Sequence, residues 1–246
     1  MRASDDAGPI RAIRVAGTAV LLLFLTFQFV NPRHPVVANT PGFSEPVAAF
    51  ELASRPEHVL DILGRPGDPG REATVRGMER GLWLDFPFLV AYPAFYVGIA
   101  WLLVARGTAP RGLAGVIGVL ALAMAVSDVL ENRELFRLCR TVDPAGMAPA
   151  LGRLAVFTRV KWYALFAASA LVVPGLWRLG GPWRWSAPLF ALAAIVGFAS
   201  VGHPPAIEWS MAPLGVAWTV VYVRALRRQR AQKGTPLATT ARLPQV

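Results

Sequence analysis

The feature that most constrains this chain is a series of long apolar runs, each bounded by charged residues, glycine or proline. A helix needs about 20 apolar residues to cross the hydrocarbon core of a bilayer. Lipid offers no hydrogen-bond partners, so such runs fold as helices and not as open sheets. We therefore predict an all-α integral membrane bundle of about six transmembrane helices, at Val15–Val30, Leu82–Ala105, Gly112–Leu130, Phe157–Trp177, Trp185–Val201 and Ile207–Val223.

The composition favours the same class. Of the 246 residues, 54% are hydrophobic and only 16% are charged, which is too apolar for an ordinary soluble domain. Six spans use roughly half of the chain and leave too little contiguous polar sequence for a soluble catalytic domain. Cys139 is the only cysteine, which excludes an internal disulfide framework.

Two of the six spans have alternative interpretations. The first follows Arg2, Arg11 and Arg14, as a signal peptide would, but residues 31–35 separate it from the nearest cleavable sequence. We favour an uncleaved helix over a signal peptide. The fifth span is short and carries Pro188 in its first turn, so a bundle of five helices is the alternative there.

The distribution of basic residues predicts the orientation. The net charge is +10, and in a membrane protein such an excess lies in cytoplasmic loops, so we predict no nucleic-acid partner. Residues 224–246 begin with five basic side chains and form a predicted basic cytoplasmic tail. An even number of spans places residues 1–14 in the cytoplasm too. Residues 31–81 are then extracytoplasmic, and residues 82–223 form a five-helix transmembrane core.

Arginine outnumbers lysine 23 to 2, and alanine, glycine and proline are abundant. This usage is typical of a GC-rich bacterial gene. We therefore expect a multi-pass protein of the bacterial cytoplasmic (inner) membrane, with the lipid bilayer as its surroundings.

The extracytoplasmic segment contains a predicted amphipathic helix over Arg55–Leu63. Ser54 and Glu57 have the spacing of a capping box, and Gly64 is placed to end the helix. A preceding helical turn is expected around Phe50. The segment either lies on the membrane surface, folding over the mouth of the bundle, or is an ordered spacer.

Ionisable residues inside the spans indicate where a site would lie, because each charge near a helix centre costs at least ~2.5 kcal/mol. In the second and third spans these residues share single helical faces, through spacings of i, i+7, i+11 and of i, i+3, i+4. Counting the rise of about 1.5 Å per residue along each helix places these ionisable residues near the extracytoplasmic boundary. The candidate cluster is Asp85, Tyr92, Tyr96, Asp128, Glu131, Asn132, Lys161 and Trp162, with Glu51, Arg159, His203 and Glu208 as a second tier.

Two structural consequences are expected from these faces. Unpaired charges could not stay buried, so we predict that Lys161 pairs with Asp128 or Glu131 and that Arg159 or Arg133 pairs with another carboxylate. The polar face of the third span continues through small residues, and close helix contact is expected there at Ala125, Ala121 and Gly118. The ion pairs either only fix which helices pack together or form a ligand or catalytic site.

Four short motifs carry most of these residues: Phe50-Glu51-Leu52-Ala53, Leu82-Trp83-Leu84-Asp85-Phe86, Asp128-Val129-Leu130-Glu131-Asn132 and Val160-Lys161-Trp162. Together they resemble the pattern of an uncharacterised group of bacterial polytopic membrane proteins. The resemblance covers about residues 43–170 and implies no particular activity. It supports the four positions as a set and leaves their role open.

Three functions fit this pattern. The first is binding of a lipid headgroup or small amphiphile, or membrane scaffolding. The second is a membrane-embedded enzyme that uses the carboxylates for acid–base or metal-assisted chemistry, and the third is transport of a small solute. We rank the first highest, because the sequence has no HExxH, paired-histidine, GxSxG, Walker or Rossmann motif and no half-to-half repeat. No cofactor and no bound metal are predicted.

Overall fold

The long apolar runs fold into helices that extend well beyond the predicted spans. The computed structural model describes residues 6–233, with side chains described through residue 228, so the predictions for residues 1–5 and 234–246 lie outside the described residues. The helices are α1 (Ala7–Val30), α2 (Pro46–Glu51), α3 (Pro56–Leu63), α4 (Arg71–Ala105), α5 (Gly112–Arg140), α6 (Pro144–Leu179), α7 (Ser186–Phe198) and α8 (Ala206–Lys233).

Six helical segments of the described chain are long and apolar enough to cross a membrane. The fifth consists of α7 with short 3₁₀ turns at Gly181–Trp185 and Ala199–Val201, and it reaches 21 residues in total. The prediction of an all-α membrane bundle is confirmed, and so is the reading of six spans over the alternative of five.

Neighbouring spans in the sequence pack side by side, and the ring closes where α1 contacts both α4 and α8. Glycines allow two of these contacts to be close. A Cβ on Gly98 would lie 3.2 Å from the backbone nitrogen of Ile13 in α1, and a Cβ on Gly197 would lie 2.3 Å from the Phe166 ring in α6. The buried apolar side chains between the spans form the main hydrophobic core.

The predicted close contact at Gly118 is wrong. A Cβ built there meets no atom within 4 Å, and the neighbouring Val119 and Leu122 are exposed. Ala121 is buried and Ala125 is partly buried, so helix contact is kept only along one edge of this stripe. This half of α5 turns much of its surface to the lipid.

A second hydrophobic core lies at one end of the bundle. α4 has 35 residues and is about 52 Å long, which exceeds the ~30 Å hydrocarbon core. The start of α4, the end of α5 and the start of α6 project together from the bundle. α2 and α3 pack onto this projection through Phe50, Leu63 and their apolar neighbours. The segment between α1 and α4, residues 31–70, therefore covers that end of the bundle, and we name it the covering segment.

α3 begins one residue later than predicted and without a capping box. Arg55 is the N-cap and no side chain accepts a capping hydrogen bond. Pro56, with φ restricted near −65°, occupies the first helical position and has no N–H to cap. The expected end is confirmed, because Gly64 closes α3 with φ +88°, a conformation that favours glycine. The expected helical turn around Phe50 is α2.

Candidate functional site around Lys161

Lys161 of α6 is surrounded by carboxylates from two other helices. Its Nζ lies 2.7 Å from Glu131 Oε1 and 3.4 Å from Asp128 Oδ1, both on α5. It also lies 3.0 Å from Oε2 of Glu51, the last residue of α2. One ammonium group thereby joins the covering segment to two membrane helices.

Hydrogen bonds extend this centre to α4. The Tyr92 hydroxyl donates to Asp128 Oδ2 at 2.9 Å, and the Asn132 amide donates to Asp85 Oδ2 at 2.8 Å. The side chains on the predicted faces of α4 and α5 therefore meet across the helix contact. We name Glu51, Asp85, Tyr92, Asp128, Glu131, Asn132 and Lys161 the Lys161 cluster.

The Lys161 cluster is buried and carries an excess of acidic groups. Four carboxyl groups accompany one ammonium group. The side chains of Glu131 and Asp128 are 0% and 3% exposed, whereas that of Glu51 is 18% exposed. Among the ion-paired carboxylates, Glu51 at the end of α2 is therefore the most accessible.

Some polar atoms of the cluster have no hydrogen-bond partner among the described residues. They are Asp128 Oδ1 and Glu131 Oε2, and the indole nitrogen of neighbouring Trp162 is a third. The Trp162 ring centroid lies 5.1 Å from Lys161 Nζ, in cation–π range. Buried polar atoms without hydrogen-bond partners are costly, so the two carboxylate oxygens could accept further hydrogen bonds and the indole nitrogen could donate one.

Tyr96 lies on the same face of α4 but belongs to a different network. Its hydroxyl lies 2.6 Å from Ser169 Oγ and accepts from the Trp218 indole nitrogen at 3.2 Å. Ser169 in turn donates to the Leu165 carbonyl at 2.8 Å, which assigns Tyr96 as the donor to Ser169. The sequence analysis missed Ser169 and Trp218, because neither is charged and neither stands in a recognisable spacing.

Of the second-tier residues, some lie in the Lys161 cluster and others make contacts elsewhere. Glu51 makes a direct contact with Lys161, as described above. Glu208 lies at the start of α8 and instead accepts hydrogen bonds from Ser44 and from the Glu45 backbone N–H, just before α2. α2 is thus held at its start by Glu208 and at its end by Lys161.

The other expected contacts are absent from the described side chains. Arg159 is exposed and joins none of the ion pairs, and the same holds for Arg133, so the prediction that either pairs with a buried carboxylate is wrong. Arg159 follows Thr158 on α6 and faces away from the cluster. His203 is exposed and packs on the Trp209 ring, with centroids 5.0 Å apart.

A second ion cluster, which the sequence analysis did not predict, lies at the opposite end of the bundle. Asp6 precedes α1 and accepts hydrogen bonds from Arg106 at the end of α4, and Arg228 of α8 lies 3.5 Å from the same carboxylate. We name these three residues the Asp6 cluster. Burial, and then repulsion by Arg228, lower the pKa of Arg106, although a guanidinium stays charged at neutral pH.

Comparison with protein families, curated proteins and solved structures finds no match to this chain. The resemblance to a bacterial polytopic group therefore stays a prediction. Within residues 6–228, no three histidine, cysteine or carboxylate side chains are arranged to hold a metal ion. The geometry of the Lys161 cluster is the basis on which a function can be argued.

Proposed function

We propose that this multi-pass membrane protein binds a small amphiphile with a positively charged headgroup at the Lys161 cluster. The observation that carries the proposal is the excess of carboxyl groups: Glu131 Oε2 has no hydrogen-bond partner among the described residues, and Asp128 Oδ1 has only the 3.4 Å ion pair with Lys161 Nζ. Charge balance in a medium of low dielectric constant requires further positive charge or protons beside these groups. A headgroup ammonium supplies both the charge and the missing N–H donors.

The surroundings favour an amphiphile over a free solute. The cluster lies where the membrane-spanning part of α5 meets the covering segment, because Asp128 is about 24 Å along the helix from Gly112. A headgroup at that height leaves its alkyl chain at the level of the hydrocarbon core. Glu51 is the most exposed of the ion-paired carboxylates, so entry past α2 is the route that we propose.

Scaffolding is the second candidate, and one observation favours it. Lys161 bridges α2, α5 and α6, so the ion pairs by themselves would dock the covering segment onto the bundle. A scaffold, however, needs about one carboxylate for one lysine. The further carboxyl groups do add contacts between helices, through Tyr92 and Asn132. Only one ammonium group balances the four acids, however, and this charge imbalance is why we rank binding higher.

The first experiment compares three probes with the same alkyl chain: dodecylammonium, dodecanol and laurate. Each is titrated onto the delipidated protein in neutral detergent, and binding is followed by native mass spectrometry. Dodecylammonium is expected to bind most tightly. Asp128→Asn should weaken it about tenfold, the change expected for loss of one charged partner.

The matched control is Glu72→Gln, because Glu72 is an exposed acid on α4 outside the cluster. It should bind dodecylammonium as the wild type does. The proposal is overturned if laurate binds as tightly as dodecylammonium, or if Asp128→Asn and Glu72→Gln have equal effects.

A double change separates binding from scaffolding. We compare Asp128→Asn, Lys161→Met and the combined variant for thermal stability and for retained amphiphile. If the combined variant recovers stability and still binds dodecylammonium as the wild type does, the cluster is architectural. If Asp128→Asn leaves stability nearly unchanged but abolishes binding, the cluster is a binding site.

We further propose that the covering segment faces the extracytoplasmic side of a bacterial inner membrane and that both termini are cytoplasmic. The short connections at residues 106–111 and 178–185 hold four arginines at the end opposite the covering segment. The positive-inside rule counts such short loops, whereas the arginines of the covering end lie in a long segment and its helical projection. Arg65→Cys and Arg111→Cys test it through labelling of intact cells with a membrane-impermeant maleimide, since native Cys139 is buried. Labelling at residue 65 alone is expected, and labelling at residue 111 alone would reverse the orientation.

A further inference from the structure

A groove on the outer surface of α4 and α5 is distinct from the Lys161 cluster. Its volume is about 530 Å³, and it lies at the same end of the bundle as the covering segment. The walls combine aromatic side chains with arginines. They include Trp83, Phe86, Phe136, Arg133, Arg137 and Arg140.

The three arginines form a positively charged row. Arg133, Arg137 and Arg140 are spaced i, i+4, i+7 on α5, share one helical face and are all exposed. Arg137 pairs with Glu134 at 2.8 Å, and Arg140 pairs with Glu79 at 3.1 Å.

Arg133 takes part in none of the ion pairs formed by the described side chains. Arg153 of α6 also contacts Glu134, at 2.8 Å, so three guanidinium groups share two carboxylates beside Arg133. The surface therefore retains positive charge that an anion can balance.

An apolar stripe continues from the arginines toward the middle of the bundle. Val129, Val126, Leu122 and Val119 follow Arg133 along the same side of α5, and each is exposed. From Val129 to Val119 the stripe is about 15 Å long, which is half the thickness of the hydrocarbon core. Trp83 stands 65% exposed beside its upper end, a position typical of tryptophan at a membrane interface.

Helix length places the arginine row near the headgroup layer of a bilayer and the apolar stripe within its hydrocarbon core. Arg133 lies about 32 Å along α5 from Gly112, so it reaches the headgroup layer when Gly112 lies at the opposite boundary. Arg133 is then level with the lipid phosphates, with Arg137 and Arg140 about one and two turns further out, and the valines and Leu122 are level with one leaflet of acyl chains.

We propose that this groove seats an anionic phospholipid of the surrounding bilayer. The phosphate is held by Arg133 together with the free donors of Arg137 and Arg140, since guanidinium groups form paired hydrogen bonds with phosphate oxygens. The glycerol region lies against Trp83 and Phe136, and an acyl chain follows the stripe from Val129 to Val119. Charge complementarity distinguishes this lipid from the positively charged headgroup proposed for the Lys161 cluster.

The test titrates dioleoylphosphatidylglycerol and dioleoylphosphatidylcholine separately onto the delipidated protein, with bound lipid counted by native mass spectrometry. Arg133→Gln should weaken phosphatidylglycerol binding about fivefold, because one interfacial charge is lost. Phosphatidylcholine has the same phosphate but also a quaternary ammonium, so it should bind the wild type less tightly and lose less affinity in the variant. Arg133 has no ion pair among the described residues, so this change leaves the neighbouring pairs in place.

Arg159→Gln is the matched control, because Arg159 is an exposed arginine of α6 outside the groove and outside the ion pairs of the described chain. It should leave phosphatidylglycerol binding unchanged. Inorganic phosphate is added as a competitor in a further titration, and it should displace little phosphatidylglycerol because it lacks the acyl chains. Equal binding of phosphatidylglycerol by the Arg133→Gln variant and the wild type, or an equal loss in the Arg159→Gln variant, would overturn the proposal.

Discussion

The two ion clusters at opposite ends of the bundle have opposite compositions. In the Lys161 cluster, one base pairs with three acids, a fourth acid bonds to Asn132 nearby, and the ion-paired side chains are at most 18% exposed. In the Asp6 cluster, one acid lies between two arginines whose side chains are 20% and 35% exposed. The first cluster is enclosed between α2 and three membrane helices, and the second lies at the edge of the bundle.

The difference teaches what each arrangement can do. Arg106 and Arg228 keep part of their hydration, so Asp6 needs to offset only part of their charge. Asp128 and Glu131 have almost no water to offset their charge, so the part that Lys161 leaves unbalanced has to be balanced by a proton or a ligand. The surplus charge around Lys161 therefore supports the proposed binding site at one end of the protein, whereas the Asp6 cluster is a contact between helices.

The largest effect is expected from removing the central base. Lys161→Met leaves buried carboxyl groups without their counter-charge and should lower the free energy of unfolding by about 3–5 kcal/mol. Reversible unfolding in mixed micelles measures this change. Adding Glu131→Gln to the variant should recover part of the loss, because one uncompensated acid is then neutral. If Lys161→Met lowers the free energy of unfolding by less than about 1 kcal/mol, the Lys161 cluster contributes no more than an ordinary surface ion pair.

A smaller effect is expected at the other end. Asp6→Asn removes the carboxylate between Arg106 and Arg228 and should cost about 1–2 kcal/mol, since the arginines turn to water once the acid is lost. The same unfolding assay applies. Arg228→Gln serves as its control and should cost less, because Arg228 is the more distant and more exposed partner. A loss as large as that of Lys161→Met would remove the contrast between the two clusters.

The smallest effect is the response to salt. Raising the ionic strength from about 0.1 M to about 1 M shortens the Debye length from about 10 Å to about 3 Å. The stability difference between the Asp6→Asn variant and the wild type should shrink, whereas the difference for Lys161→Met should stay within error. Unfolding curves at both salt concentrations check this. An equal response of both variants would mean that water and ions reach the Lys161 cluster.

Much of the bundle could be predicted because lipid imposes simple rules on length and polarity. The apolar runs locate six spans, and the i, i+3, i+4 spacing places Asp128, Glu131 and Asn132 on one buried face of α5. Helix ends were predicted less well. The core of a bilayer is about 30 Å thick, but α4 and α6 continue past it into the projection that α2 and α3 cover, and hydropathy alone does not predict such extensions.

Contacts between distant parts of the chain were beyond the reach of the sequence. Glu51 and Lys161 are 110 residues apart, and Ser44 and Glu208 are 164 residues apart. Spacing along one helix predicts a shared face, but it does not state which loop residue comes to rest on that face. Asp6 was missed for the same reason, since its partners lie at the ends of α4 and α8.

By itself, the sequence determined that the chain crosses a membrane as helices and that ionisable side chains gather toward one boundary, because burying backbone or charge in hydrocarbon is too costly to permit alternatives. Only the tertiary structure decided which charges meet. It brought Glu51 to Lys161, left Arg159 and Arg133 outside, and placed Asp6 between two arginines. These pairings depend on how the helices pack and where the covering segment folds, and both are set by the sum of many small contacts between residues that are distant in the sequence.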